Sequence, residues 1–296
     1  MNECWDIVIV GAGPAGSTAA GYLAPLGYRT LPLERAHFPR HRIGESLLPS
    51  MMPVLEDFGL VDACREAGFV EKTGATFIWG RTREPWDIRF GDTPFLPASV
   101  AFHVERSVFD QILLDNARRR GTCVRLNASV LDPLLDGDRV VGLTYRDNDT
   151  GETRSVDAKV VIDASGSASV IGRKLTPRRY DEHMRQLALY SYFRNVRGPG
   201  DFRSQHIIIE SCPKGWFWFI PMNSERLGEV SLGLVTGKEF QAEIQEKGPQ
   251  GFYDEALAES SYVRELLGPD AIPVDPLCPD RCQGLRPPGR PVQALR

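Results

Sequence analysis

A chain of 296 residues, 42% hydrophobic and 25% charged, is long enough to bury a substantial core as one large domain or two closely joined ones. Its 35 basic and 39 acidic residues leave a net charge of −4 with no long basic run, which argues against a nucleic-acid partner. No apolar run approaches the ~18 residues of a membrane span, and the first strand begins too close to the N-terminus to leave room for a signal peptide. The expectation is a soluble, cytoplasmic protein with no nucleic-acid or membrane partner.

Asp6 to Val10 reads as a short buried parallel strand, and Gly11, Gly13 and Gly16 at its end fit G-x-G-x-x-G. In such a turn Gly11 permits the tight bend, Gly13 lets the backbone approach a pyrophosphate, and Gly16 lets the next helix pack closely on its strand. Pro14 suits a first helical turn, Ala15 to Leu26 supply the helix and Gly27 stops it. Arg29 to Leu33 then form a second strand ending at Glu34, 21 residues after Gly13, where a carboxylate accepts ribose hydroxyls. Strand, glycines, helix, strand and acid in register predict a dinucleotide site, with its phosphates at the helix N-terminus.

The segment Arg35 to Pro49 is basic and ends in Gly-Glu-Ser. Arg40 and Arg42 fit a solvated loop and a phosphate or flavin contact equally well. Ser46 reads as the cap of a helix near Leu47 to Phe58. A short helix near Leu60 to Ala67 leads to Lys72, which next to Glu71 has the look of a solvated surface charge, and then to a strand from Ala75 to Trp79. Asp87 to Ala101 is Pro- and Gly-rich and reads as strands and loops covering a site. Glu105 to Arg120 is an amphipathic helix with Phe109, Ile112, Leu113 and Ala117 on one face. Cys123 to Leu126, Ser129 to Leu134, Val140 to Tyr145 and Arg154 to Ile162 read as a β-meander that runs into a second glycine turn, Asp163-Ala-Ser-Gly166.

From Gln186 the strands lengthen and look antiparallel: Leu187 to Val196, Gln205 to Ser211, Gly215 to Ile220 and Gly228 to Val235. Helices follow at Lys238 to Glu246, Gly251 to Glu259 and Tyr262 to Leu267. The predicted domains are 1–185, dinucleotide-binding and discontinuous with inserted strands; 186–267, an antiparallel sheet with helices; and 268–296, an irregular tail. The six cysteines are scattered and read as reduced, buried thiols. Cys278 and Cys282 have no histidine nearby in sequence, so no metal site is expected.

Taken together, Gly11-Ala-Gly-Pro-Ala-Gly16, Gly44-Glu-Ser-Leu-Leu-Pro49, Asp163-Ala-Ser-Gly166 and Gly215-Trp-Phe-Trp-Phe-Ile-Pro221 resemble the flavin-dependent halogenases, whose second signature is W-x-W-x-I-P. The glycine motif alone is shared by many flavoproteins, whereas the other two together are fairly specific, and the resemblance runs roughly from Asp6 to Leu267. It implies an α/β fold, a doubly wound FAD-binding βαβ domain with inserted strands, joined to an antiparallel-sheet substrate domain. It also implies an enzyme that uses FADH2 from a separate flavin reductase, O2, and chloride or bromide to halogenate a phenolic or pyrrolic ring. That ring is often tethered to a carrier protein, in natural-product or antibiotic biosynthesis.

Site residues follow from the same resemblance. Trp216 and Trp218, on one face of a strand because side chains alternate, would wall the flavin oxidant off from the organic substrate; a strand simply buried on both faces is the plainer reading. Lys72 matches an essential lysine that donates a hydrogen bond to hypohalous acid or becomes a chloramine. Glu34 would bind the FAD ribose; Arg42, Ser46 and Arg106 would contact the cofactor; Asp163 and Gly166 would approach its pyrophosphate. Departures begin after Leu267, where Pro269 and Pro273 break the strand and helix start that a further flavin-contacting segment needs. The expectation is a chain truncated at its C-terminal side relative to the family. Alternatives are a flavin monooxygenase or geranylgeranyl-reductase-like oxidoreductase, which share the glycine motif, and an inactive scaffold.

Overall fold

The computed structural model describes residues 3–177, 186–226, 228–274 and 293–295. In chain order the elements are β1 (Glu3–Val10), α1 (Pro14–Leu23), β2 (Thr30–Leu33), α2 (Met52–Phe58), α3 (Val61–Glu66), β3 (Val70–Lys72), β4 (Gly74–Ile78), β5 (Pro85–Arg89) and β6 (Ala101–His103). Next come α4 (Arg106–Arg119), β7 (Ala128–Asp136), β8 (Arg139–Asp147), β9 (Thr153–Asp163), α5 (Gly172–Leu175), β10 (Gln186–Arg194) and β11 (His206–Cys212). The last are β12 (Gly215–Ser224), β13 (Gly228–Gly237), α6 (Gln241–Glu259), α7 (Tyr262–Leu267), β14 (Ile272–Val274) and β15 (Gln293–Leu295). The fold is α/β, as expected. It divides into two compact units, Met1–Ile43 with Arg106–Arg179, and Gly44–Glu105 with Tyr180–Arg296.

The first unit is built on a five-stranded sheet in the order β2-β1-β9-β8-β7. β1 runs parallel to both β2 and β9, which brings Val10 opposite Leu33 on one side and Asp163 on the other. A central parallel strand is covered on both faces, which is why Ile7 to Val10 are continuously apolar and buried. β7, β8 and β9 form the antiparallel meander. Residues 123–126, expected as a strand, make only one bridge, Leu33 with Arg125. Asn127, at φ 54°, turns the chain out of extended geometry there. The segment is nevertheless fixed along β2, with Arg125 N donating to Pro32 O at 3.0 Å and Glu34 N to Arg125 O at 2.9 Å.

The second unit is built on an eight-stranded sheet whose main path runs β14-β10-β13-β12-β11-β4-β5, with β15 also on β10. Its pairs are antiparallel except β4 with β11, which are parallel. That parallel pairing places residues 44–105 in this unit, whereas the sequence reading groups them with residues 1–185. One face of the sheet packs Ile208, Phe217, Phe219, Leu232 and Leu234 against Phe252, Tyr253 and Ala256 of α6 and Val263 and Leu266 of α7. α6 is interrupted at Gly248, φ 73°, followed by Pro249, which separates the two helices expected there. Of the expected tail, Ile272–Val274 pairs with β10, and residues 275–292, including Cys278 and Cys282, lie outside the described residues. Among the described cysteines Cys4 and Cys123 are exposed and Cys64 is buried, so burial is not general to them. Among the described residues no helix is long and apolar enough to cross a membrane.

Candidate active site

In the first unit the three glycines carry distinct steric demands. Gly11 sits at φ 95°, and an added Cβ would stand 2.8 Å from the carbonyl oxygen of Ala164. At Gly16 a Cβ would stand 1.9 Å from Gly11 O, so α1 can approach the turn only without a side chain there. Gly13 is the N-cap of α1 in extended geometry, with Pro14 starting the helix. Its neighbour is the Arg40 guanidinium, which would lie 3.2 Å from a Cβ at this position.

Around this turn lies a cavity of about 620 Å³, lined by Gly11, Gly13, Glu34, the Ala164 to Ala168 turn including Gly166, and five arginines, Arg35, Arg40, Arg42, Arg106 and Arg173. Glu34 is buried and accepts from Ala12 N at 3.0 Å and Ala36 N at 3.2 Å. Hydrogen bonds from Glu34 N and to Glu34 O hold its backbone on both sides. Arg40 Nη2 lies 3.6 Å from Glu34, and Arg40 Nη1 donates to Asp110 at 2.9 Å. Asp110, fully buried, also takes Arg106 Nε at 2.8 Å and Arg106 Nη2 at 3.1 Å. One carboxylate therefore aligns two guanidinium groups on the cavity. Of the two readings open for Arg40, a solvated loop or a cofactor contact, its place on the cavity favours the second; Asp110 is absent from the residues expected to carry the site, and its i, i+4 spacing from Arg106 was the available signal. Arg42 is half-buried, and its guanidinium is held below its ordinary value by burial and by the nearby charges of Arg40 and Arg35.

Asp163 has another task. Its carboxylate accepts from Ser165 N, Ser165 Oγ, Ile171 N and Gly172 N, and does not line the cavity. These bonds shape the Ala164 to Ala168 turn, and burial of the carboxyl is outweighed by those donors, which hold its pKa below the usual range. Ser46 is not a helix cap: the turn at Pro49–Met51 takes Leu48 as its N-cap, with no side-chain bond. Ser46 instead lies in extended chain opposite His103 in the second unit.

An adenine dinucleotide cofactor fits this cavity on the structure's own terms. The glycine turn leaves no room for side chains, cationic groups surround the helix N-terminus, and Arg40 Nε is buried without a hydrogen-bond partner among the described residues. Glu34, Arg40, Arg42 and Arg106, with the Gly11 to Gly16 turn, would hold it.

The second unit contains Lys72, only 3% exposed, which excludes the solvated surface charge. Its ammonium donates to Leu47 O at 2.9 Å and lies 5.3 Å from the Phe90 ring centroid. Burial pushes its pKa down to about 8. Trp216 and Trp218 project to the sheet face opposite Phe217 and Phe219, as strand alternation requires. Trp218 is buried, donates from Nε1 to Ser231 Oγ at 3.2 Å, and covers Gly233, where a Cβ would stand 2.1 Å from the indole. Trp216 is partly exposed and lines a cavity of about 420 Å³ with Cys212, Lys214, Gly215, Lys238 and Phe240. The two indole centroids are 6.4 Å apart. Among the described residues no cluster of His, Cys, Asp or Glu could hold a metal ion.

Residues 5–277 match the family model described as FAD binding domain. The chain belongs to the FAD binding domain family. That family match supports FAD as the cofactor. This FAD-binding chain is 33% identical over 263 residues to a tryptophan 2-halogenase of Chondromyces crocatus, covering 88% of the chain and 49% of that relative. It is 34% identical over 263 residues to a 1H-pyrrole-2-carbonyl-[peptidyl-carrier protein] chlorinase of Pseudomonas fluorescens, covering 79% and 56%. Among solved structures it is similar to the myxobacterial chondrochloren halogenase CndH, described as a variant of FAD-dependent halogenases, with a TM-score of 0.84 and 36% identity over 92% of the chain and 61% of that structure. The chain spans about half the length of the curated relatives it matches.

Proposed function

We propose that this FAD-binding chain carries the flavin- and lysine-bearing part of a flavin-dependent halogenase. The observation that carries the reading is the buried Lys72 ammonium, in a chain that also holds a dinucleotide cavity and is similar to halogenases across most of its length. Bound as FADH2 and supplied with O2, the flavin would provide the two-electron oxidant that converts chloride or bromide to hypohalous acid.

Lys72 then has two uses. As an ammonium it donates a hydrogen bond to hypohalous acid and polarises the halogen towards an electron-rich ring. As a neutral amine it displaces water from hypohalous acid to form a haloamine, R–NH2 + HOX giving R–NHX + H2O. Transfer to the ring, R–NHX + ArH giving ArX + R–NH2, restores the amine. A pKa near 8 leaves both forms populated around neutrality. Trp216 and Trp218 are proposed to exclude the organic substrate from the oxidant. The substrate class that fits is a phenol or pyrrole, tethered to a carrier protein as in the chlorinase relative. Reduced flavin would come from a separate reductase, which suits a cytoplasmic setting and a role in natural-product biosynthesis.

The test is a reductase-coupled assay with FAD, bromide or chloride, and phenolic or pyrrolic thioesters on a carrier protein, read by mass spectrometry. Halogenated product from the chain, lost in Lys72→Ala while FAD binding persists, is expected. Hydroxylated product in its place, or halogenation retained by Lys72→Ala, would overturn the reading.

A further inference from the structure

Trp218 is held in place by two residues of the neighbouring strand. It pairs directly with Gly233 across β12 and β13, and Ser231 stands two residues along β13 on the same face. Gly233 lies inside a strand, where a glycine weakens pairing, and it is not among the glycines with positive φ, so its backbone conformation does not call for glycine. The indole does. A Cβ at Gly233 would stand 2.1 Å from Cζ2, 2.4 Å from Cη2 and 2.5 Å from Cε2 of Trp218. The ring therefore lies directly on the Gly233 backbone, and Tyr190, the partner of Gly233 on β10, flanks it at a centroid distance of 6.3 Å.

Ser231 removes the ring's remaining freedom. Its side chain is fully buried, and its hydroxyl accepts from Trp218 Nε1 at 3.2 Å. An indole N–H can only donate, and turning the ring over would bury it without this acceptor. Gly233 thus sets how closely the indole approaches the sheet, and Ser231 sets which way round it lies. Trp218 is also the nearer of the two indoles to Lys72 along the sheet. Ile208 pairs with Thr76 on one side and Phe219 on the other, and Thr73 N still donates to Gln205 O, so Lys72 lies in the direction in which β12 runs on from Phe219. Trp218 adjoins Phe219, whereas Trp216 is two residues further back, roughly 7 Å along the strand.

Resting on the halogenase reading, in which Trp218 keeps the organic substrate from the oxidant, we propose that Ser231 and Gly233 are positioning residues for Trp218 and set the preference for halogenation over hydroxylation. With the indole displaced, the substrate ring reaches the oxidant and takes oxygen in place of halogen, ArH + O2 + FADH2 giving ArOH + FAD + H2O.

The positioning is tested without flavin or substrate, on protein carrying 15N-labelled tryptophan, with the Trp218 indole signal assigned by its loss in Trp218→Phe. In Ser231→Ala that N–H should shift and exchange with solvent roughly tenfold faster, and Ser231→Thr, which keeps the hydroxyl, should restore the parent behaviour. Gly233→Ala should shift the same signal by lifting the ring. A signal left unchanged by Ser231→Ala, or by a folded Gly233→Ala, overturns the positioning role. In the reductase-coupled assay the ratio of hydroxylated to halogenated product should rise about tenfold in Ser231→Ala and fall back in Ser231→Thr. A ratio that stays at the parent value while the indole signal moves overturns the specificity role. Parent protein that yields no halogenated product, with the indole signal responding as expected, counts against the halogenase reading and leaves the positioning of Trp218 supported.

Discussion

The Lys72 ammonium donates to the carbonyl oxygen of Leu47 at 2.9 Å, and among the described residues no carboxylate pairs with it. Burial that lowers its pKa from 10.5 to about 8 disfavours the charged form by roughly 3 kcal/mol. The sign follows from the direction of the shift. Below pH 8 the ammonium is present in both folded and unfolded chains and the penalty is full; between pH 8 and 10.5 the folded chain sheds its proton first and stability rises. Lys72→Met should therefore stabilise the protein by roughly 1–3 kcal/mol at pH 7, with the gain shrinking by pH 10. Urea unfolding at the two pH values measures this; a Met variant less stable than the parent at pH 7 would contradict it.

Gly16 and Gly13 should separate folding from cofactor binding. A Cβ on Gly16 meets backbone, Gly11 O at 1.9 Å, and the turn must shift, so Gly16→Ala should lower stability by about 1–3 kcal/mol and abolish FAD binding together. A Cβ on Gly13 meets only the end of the Arg40 side chain at 3.2 Å. Gly13→Ala should leave the melting temperature nearly unchanged and weaken FAD roughly tenfold, because it obstructs the approach of the pyrophosphate. Thermal melting and flavin fluorescence titration of both variants report the two effects, and equal loss of stability in the pair would refute the distinction.

The parts of this site that were legible in sequence are those set by local geometry. Gly11, Gly16 and Glu34 follow from one strand-turn-helix-strand unit, and the opposite faces of Trp216 and Phe217 follow from strand alternation. What stayed hidden depends on residues distant in the chain. Asp110 acquires its place through Arg40, 70 positions away. The membership of residues 44–105 in the second unit rests on β4 meeting β11, as in the Thr76 contact with His206 across 130 positions. Ser46 reads as a cap because a helix follows closely, yet Pro49 starts the turn and leaves Leu48 at the cap position. Lys72 looks like a surface charge beside Glu71 because burial of its side chain is decided by Leu47 and Phe90, neither of them a sequence neighbour.

Asp110→Asn should weaken FAD binding about tenfold while the fold persists, since a neutral amide cannot hold both Arg40 and Arg106 in line with charge-assisted bonds. Asp110→Ala should do more, leaving two partly buried guanidinium groups unpaired and costing about 3–5 kcal/mol of stability. Isothermal titration with FAD and chemical denaturation give the two numbers. Unchanged FAD affinity in Asp110→Asn would show that the arginines find their places without it.

Glu210, fully buried on β11, ties the eight-stranded sheet to the N-terminus of α7. Its carboxylate accepts from Tyr262 N at 3.1 Å, Val263 N at 2.7 Å and Ser260 Oγ at 2.5 Å, and it pairs with Arg83. A carboxylate at a helix N-terminus satisfies donors that have no partner within the helix and complements its dipole. Glu210→Ala removes these bonds at once and leaves the amides buried, so a loss of about 3–5 kcal/mol is expected, felt first as faster amide exchange across Tyr262–Leu267. Glu210→Gln keeps the shape and part of the bonding and should cost less than half as much. Exchange in α7 that stays at the parent rate in Glu210→Ala would show that apolar packing of Val263 and Leu266 alone secures the helix.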